Sequence, residues 1–376
     1  MRTSRTALGA LLAVLPILFG AGAATAQIEW SARLPAEYRS WTLETSGGQK
    51  LEVSQIYVPL VGTLAIRPST RFVISAAGAH SKLENRAGNE SLSGLADVKL
   101  QIYQNLVHDR LVVLGGVNLP TGKRELSQDE LEVMQALAHP LLGMRLKQYG
   151  RGLDLNAGAA VSVPIRSGLE LGAGVGYLHS GKYTLSEGGE EYEPTPEASA
   201  SFALEIASPR REHTVQLRVT GRSYQEDRLD GRRIFEEGDQ LEATLRGTAR
   251  AGRVRASLMT QGAWKKDDRA FGSPDPVGRV STTTPGTGIV AHLAALYAVT
   301  EMFDAGVAGD WKRFQSSDVA QYNGDAFGVG PAVGIRIGSS GLARLEGLIS
   351  TGTAGEGSGE LDLSGFTVSA SLLWRP

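Results

Sequence analysis

Apolar and polar residues alternate with a period of two over most of the chain beyond residue 38. In residues 213–224, Val215, Leu217, Val219 and Gly221 fall on one face, with Gln216, Arg218, Thr220, Arg222 and Tyr224 on the other. Residues 241–250 repeat the pattern, setting Leu241, Ala243 and Leu245 against Glu242, Thr244, Arg246, Thr248 and Arg250. The last stretch sets Phe366, Val368, Ala370, Leu372 and Trp374 against Thr367, Ser369 and Ser371. A helix would scatter charges that recur every second residue around its circumference, so the pattern predicts strands with one apolar and one wet face.

Laid end to end, these strands number about sixteen, from 39–46 to 362–374, or about fourteen if the shortest merge. Their connections alternate in length. Short ones fall near Pro68, Asp109, Arg166, Pro209, Gly252, Glu301 and Ser339. Longer ones fall near Arg86, across 121–150, near Glu190 and Asp230, across 267–285, and near Ser317 and Gly355. The tight Gly47-Gly48 hairpin is the exception. Short turns at one rim, long loops at the other and an even strand count describe an antiparallel transmembrane β-barrel, and 39–376 is read as that domain. One segment reads as a helix, Ser127 to His139 in the long connection 121–150. Ser127 and Glu130 are spaced as a capping box, Leu131, Met134, Leu137 and Ala138 form an apolar stripe, and Pro140 stops it.

Residues 1–26 are expected to be an address rather than part of the fold. Arg2 and Arg5 precede an apolar run from Ala7 to Phe19, and Ala24-Thr25-Ala26 offers small residues for cleavage. Residues 27–38 are taken as a short periplasmic lead into the first strand. No later run is long and apolar enough for a spanning helix, which leaves the barrel as the membrane-crossing form. The expected location is the outer membrane of a Gram-negative-type bacterium. The expected surroundings are outer-membrane lipid, lipopolysaccharide and the barrel-assembly machinery.

Composition sharpens this picture. There are 47 glycines in 376 residues, well above the ordinary share of roughly 7%. They sit with serines and charges on the wet faces, as a water-filled lumen requires. A secreted sandwich or propeller is the competing architecture, but no blade-like repeat is present. Two features run against a barrel: only 6% of residues are aromatic, and Pro331 interrupts a strand pattern. The absence of cysteine excludes thiolate chemistry and disulfides, and a formal net charge of −2 excludes a general nucleic-acid binder. No cofactor or metal is expected. The Gly116–Lys123 stretch has the wrong spacing for a phosphate loop, and Gly172-Ala-Gly174-Val-Gly176 resembles a dinucleotide loop only in richness. His80-Ser81 and His179-Ser180 are neighbours pointing to opposite faces, so neither pair works alone as a hydrolytic dyad. The acidic run Glu187, Glu190, Glu191 and Glu193 lacks ordered ligand spacing and reads as a solvated loop.

The strongest candidate chemistry is a basic wall. Arg218, Arg222, Arg246, Arg250, Arg253 and Arg255 share the wet parity on three successive strands, 213–225, 237–250 and 253–266. Turn positions set Arg250 opposite Arg253 and Arg218 roughly opposite Arg246, with Glu242 near Arg222. Glu205 and Glu242 are the local neutralising candidates; Glu170, Asp154, Asp304 and Glu346 could act from across the lumen. The second candidate is the loop helix, whose Leu131, Met134 and Leu137 could constrict the pore mouth.

The words Gly94-Leu-Ala-Asp97-Val98 and Asn118-Leu-Pro-Thr-Gly122-Lys123 resemble outer-membrane proteins grouped with the phenol meta-cleavage degradation pathway. More distantly the chain is similar to the fatty-acid outer-membrane transporters. That resemblance implies a barrel passing hydrophobic or aromatic small molecules. Two departures stand out: Trp374 is followed by Arg375 and Pro376 rather than ending the chain, and no long N-terminal plug precedes the first strand. The function expected is a non-enzymatic channel for a small hydrophobic, aromatic or amphipathic-acid solute; the alternative is a structural or adhesive surface barrel.

Overall fold

The computed structural model describes residues 29–86, 88–107, 109–184, 189–271, 284–316, 322–355 and 359–375. The leader, residues 1–26, lies outside them, as do His108 and Glu187. The strands in chain order are β1 (Glu29–Thr45), β2 (Lys50–Arg67), β3 (Thr70–Glu84), β4 (Asn89–Leu95), β5 (Val98–Leu106) and β6 (Leu111–Leu119). Helix α1 (Gln128–Leu137) follows, then β7 (Asp154–Arg166), β8 (Leu169–His179), β9 (Tyr183–Thr184), β10 (Glu191–Glu193), β11 (Glu197–Ala207) and β12 (Thr214–Tyr224). The remainder are β13 (Glu226–Leu229), β14 (Arg232–Glu236), β15 (Gln240–Ala251), β16 (Val254–Lys265), β17 (Arg269–Ala270), β18 (Gly286–Ala298), β19 (Phe303–Ser316), β20 (Gly324–Ile337), β21 (Gly341–Ala354) and β22 (Leu361–Trp374).

Antiparallel pairing runs from each long strand to the next and returns from β22 to β1, closing a barrel of 16 strands. The β1–β22 seam is fully paired from Ala32↔Trp374 to Thr45↔Leu361. β4 and β5 act as one barrel strand: β4 pairs with the upper part of β3 and β5 with its lower part. A separate five-stranded sheet, in the order β17-β14-β13-β10-β9, stands on the long-loop rim. Alternation could not reveal it, because its strands are two to five residues long.

The expected lead segment 27–38 needs correction, since β1 already begins at Glu29. Leu34-Pro35-Ala36 hides the alternation there, and these three residues have no partners on β2 although they pair with β22. Pro35 carries no N–H and so cannot donate to a ladder. Pro331 is accommodated in a similar way: it pairs with Val307 on β19, while the β20–β21 pairing skips residues 330–331 without a register shift.

The apolar faces point outward. Val215, Leu241, Leu245, Val254, Leu258 and Phe366 are exposed on the outer surface, with Val175, Phe202, Leu293 and Ile349 beside them. An apolar belt around a closed sheet is what hydrocarbon demands, because strand pairing around a ring leaves no open edge of backbone polar groups. The few aromatics are placed economically. Trp264 and Tyr177 lie on the outer surface toward the long loops, and Tyr297, Phe303 and Trp374 toward the short turns, where interfacial girdles sit.

The largest buried cluster lies inside the barrel, toward the long-loop rim. It joins inward side chains of the wall, among them Trp41, Leu43, Val53, Leu83, Leu92 and Leu363, to Leu126, Leu131, Val133, Met134, Leu137, Leu141, Leu142, Met144 and Tyr149 of the connection between β6 and β7. That connection folds into the lumen against β1–β4 and β20–β22.

Candidate functional site

The inward segment is built from its root. Asp97, between β4 and β5, accepts from the backbone N–H of Gly122 at 2.8 Å and of Arg151 at 2.6 Å, so one carboxylate ties the two ends of the loop together. Thr121 Oγ1 accepts from the N–H of Val98 at 2.9 Å. The two sequence words that carried the family resemblance are therefore two halves of one clasp. Gly122 is required there: a Cβ at that position would stand 2.2 Å from the carbonyl oxygen of Tyr149 and 2.8 Å from the Cα of Gly150, which are backbone atoms that cannot swing away. Gly122→Ala is expected to open the loop root while leaving the strands paired. Limited proteolysis should then cut within 121–150 faster in the variant, with the heat-modifiable gel shift of the folded barrel unchanged.

Helix α1 starts as the sequence predicts. Ser127 Oγ accepts from Glu130 N–H, and Glu130 Oε2 accepts from Ser127 N–H at 3.2 Å, a reciprocal capping box. Leu131, Met134 and Leu137 are buried, with Val133 beside them. These three therefore meet the barrel wall, with Leu92 of β4 in the same cluster, and each side chain so buried contributes roughly 1.5–3 kcal/mol.

After Pro140 the chain is held by polar anchors reaching inward from the wall. Arg39 Nη1 donates to the carbonyls of Leu142 at 3.0 Å and Gly143 at 2.7 Å, and Trp41 Nε1 donates to Leu142 at 3.0 Å. Gln55 bridges the segment to the wall: Oε1 accepts from the N–H groups of Arg145 (2.9 Å) and Leu146 (3.0 Å), and Nε2 donates to Leu146 O at 2.8 Å and to Ser81 Oγ of β3 at 3.0 Å. Glu37 takes a bidentate pair from Arg145 (3.0 and 2.9 Å) and a second ion pair from Arg39 (3.0 Å). Gly143 sits at φ +62° beneath Arg39 and Lys312, in a conformation and a space that suit glycine. Tyr149 shares a hydrogen bond with Ser81 at 2.9 Å and donates to Leu92 O at 3.3 Å. Burial pushes its hydroxyl up to about 12, so it remains a donor across the physiological range. Sequence reading missed Arg39, Trp41, Gln55 and Tyr149. Their partners lie roughly 60 to 100 residues away, and no local pattern encodes such a meeting.

The opposite side of the lumen is lined differently. β7, β8 and β11 present Ala160, Gly172, Gly174, Gly176, Ser199 and Ser201 inward. Next to them stand β12, β15 and β16 with the arginines. Their register departs from the expected one: Arg218 faces Thr244, Arg246 faces Gln216, and Arg250 faces Arg255 rather than Arg253. For Arg218 and Arg246 the connection after β12 forms β13 and β14 of the rim sheet before β15 begins; for Arg250 the turn takes up Gly252 and Arg253, so Arg255 is the residue opposite.

The charges are partly neutralised. Arg222 is gripped by Glu242 at 3.0 Å, as expected, and also by Glu197 at 3.1 Å. Arg255 pairs with Asp304 on β19. Glu205 serves Arg211 in the following turn rather than the wall. Of the acids proposed to act from across the lumen, Glu170 accepts from Ser162, Asp154 takes Asn118 and the N–H of Gly181, and Glu346 takes Arg344 and His292. Arg250 Nε reaches only the Gly252 carbonyl, at 3.4 Å. Among the described residues, Arg218 and Arg246 have no ion-pair partner, and they stand on neighbouring strands, one step apart in register. Of the six arginines two are thus ion-paired; of the other four, Arg250 and Arg253 lie at the short-turn rim, which leaves Arg218 and Arg246 as the pair without an ion-pair partner among the described residues farther into the lumen. The loop helix sits on the other side of the lumen, so the two candidate groups do not touch.

Other candidates have ordinary partners. Glu191 and Glu193 hold Lys182, and Glu190 holds Arg232. His80 lies 2.5 Å from Ser93 Oγ on β4 rather than working with Ser81, which faces inward to Gln55 and Tyr149.

No protein-family model and no curated protein matches this sequence. The fold is similar to those of several solved structures at low identity. An outer-membrane channel from Pseudomonas putida F1 shares 9% identity over 95% of this chain and 98% of its own, with a TM-score of 0.41. An anion-selective porin from Comamonas acidovorans shares 11% identity over 93% of this chain and 100% of its own, at 0.42. OccK9 (OpdG) of Pseudomonas aeruginosa shares 10% identity over 93% and 99%, at 0.44.

Proposed function

We propose that this chain is an outer-membrane channel for passive movement of small amphipathic acids, aromatic carboxylates foremost. The observation that carries this reading is the Arg218/Arg246 pair, left without ion-pair partners among the described residues, beside the small-residue wall of β7, β8 and β11 and in a lumen that the inward loop partly fills. Like charges on neighbouring strands destabilise a sheet unless something offsets them, and a narrow polar passage focuses their field on entering anions. The large apolar side chains of the folded-in loop are spent on the wall, and its partly exposed Ala136, Ala138, Pro140 and Leu146 supply contact for a hydrocarbon body. A 16-stranded ring is wide enough to hold water beside such a loop. The likeness of the Asp97 and Gly122 words to phenol-degradation outer-membrane proteins fits the same class of solute.

Reversal potentials in planar bilayers under a salt gradient test the proposal. Anion preference is expected in the unmutated channel, falling toward neutrality in the Arg218→Ala/Arg246→Ala double variant. Cation preference in the unmutated protein would overturn it. A structural or surface-binding barrel, for which the extra rim sheet speaks, would instead show no solute-dependent conductance.

A further inference from the structure

Between the inward segment at Pro140–Lys147 and the wall of β15, β16, β18 and β19 lies a cavity of about 210 Å³. Among the described residues its boundary includes Lys147, Lys265, Lys312 and Arg313 and no aspartate or glutamate, with Leu141 and Phe314 among its apolar members. Arg313 belongs to the outward parity of β19, which leaves three lysines to charge the interior. They differ in their partners. Lys265 is neutralised twice, by Glu237 at 3.1 Å and Asp268 at 2.9 Å. Lys312 has Asp310 at 3.4 Å and lies 5.1 Å from the centre of the Trp41 ring. Lys147 reaches only the carbonyl of Ala138, at 3.3 Å, and no carboxylate among the described residues.

From this arrangement we infer a binding subsite for a small aromatic monocarboxylate, its carboxylate on Lys147 and Lys312 and its ring against Leu141 and Phe314. The inference rests on the channel reading and specifies where along the path the solute pauses. A cavity of roughly 150 Å³ already accepts a benzene ring, so the space here takes a ring with a carboxylate attached. Sites for small molecules combine an apolar lining with a few placed charges, and this boundary has that make-up. Burial lowers the pKa of Lys147, so its ammonium is poorly served as it stands; an incoming carboxylate supplies the charge-assisted hydrogen bonds that the protein leaves out. Lys312 is fixed over Trp41 and Gly143, so it is set in place before a ligand arrives.

Calorimetric titration of the full chain, folded in detergent, with benzoate, benzyl alcohol and inorganic phosphate tests the subsite. Benzoate is expected to bind, and benzyl alcohol and phosphate to bind at least tenfold more weakly. Lys147→Met should weaken benzoate about tenfold or more, as loss of a charged hydrogen bond does, while Lys147→Arg should retain most of the affinity. The heat-modifiable gel shift establishes that each variant is folded, and Phe314→Ala provides a second variant, expected to weaken benzoate without creating phosphate binding. No benzoate binding, equal binding of benzyl alcohol or phosphate, or unchanged affinity in folded Lys147→Met would each overturn the subsite. A barrel that conducts anions yet binds no benzoate overturns the subsite alone; one that binds benzoate yet conducts nothing overturns the channel reading alone.

Discussion

Replacing Leu217 by arginine should cost the folded barrel about 2–4 kcal/mol, whereas replacing Thr220 by arginine should cost little. The two positions are three residues apart on the same strand and differ in which side of the sheet they occupy. Leu217 pairs with Leu245 and Leu204, both of outward parity, well inside the apolar belt. A guanidinium there must either enter hydrocarbon or drag water and headgroups toward it. Thr220 points inward and faces Glu242 across the β12–β15 pair, so an added cation stays in the lumen's water, where it shares Glu242 with Arg222. Urea titrations of reversible folding into lipid vesicles give both numbers. Equal costs at the two sites would remove the assignment of faces on which the membrane reading stands. The test is internally controlled, since strand position and the substituted residue are nearly matched.

Deleting 127–139 should leave the barrel closed and raise its single-channel conductance. The barrel's own pairing does not involve this segment: β6 pairs with β5 and β7, and the loop root is tied separately by Asp97. What the deletion removes is the volume of α1 from one side of the lumen. A milder variant separates docking from bulk. Leu137 is fully buried in the internal cluster, and Leu137→Ala should weaken seating of the helix by about 2–5 kcal/mol. The polar anchors at Arg39, Trp41 and Gln55 lie C-terminal to the helix and remain, so the loop should fray from α1 rather than leave the lumen. Conductance should become noisier in Leu137→Ala and larger in the deletion. An unchanged conductance in a folded deletion variant would sink the idea that this helix narrows the path.

The strands were legible because each has a single lipid-facing side, which forces period-two alternation on its residues. Where that constraint lapses, so does the signal. Pro35 disrupts the alternation at the start of β1, which hid its first ten residues. The rim sheet is built of strands two to five residues long, and its few buried side chains, Tyr183, Asp227 and Phe235, fall at isolated positions that set no repeating alternation. Register was readable only in part: Arg222 meets Glu242 as expected, but the spacing of Arg218 from Arg246 depended on how many residues the intervening loop folds into β13 and β14, and the turn at Gly252 sets Arg250 opposite Arg255 rather than Arg253. The helix was visible down to its capping box because capping is a local affair of four residues. Its burial site was not, since Leu131 and Leu137 state only that a partner is needed. Nor could alternation show that Asp97 binds two backbone groups 25 and 54 residues further on. The loop anchors and the lysine-edged cavity are products of closure, and they exist only once distant strands have become neighbours.

The pairing of β1 with β22 separates the order of synthesis from the order of completion. Neighbouring hairpins can zip as they emerge, because little chain entropy is spent on ends already close together. The seam joins Ala32 to Trp374, the most remote pair in the sheet, and such contacts form slowly. Until the last strand arrives, β1 has an unsatisfied row of donors and acceptors along one side, and such an open edge is a template for mispairing. Arg39 and Trp41 lie on that strand and hold the inward segment, while Leu363 on β22 shares its apolar cluster. The segment therefore spans the last joint to close, and a docked loop is a mark that the ring has been finished.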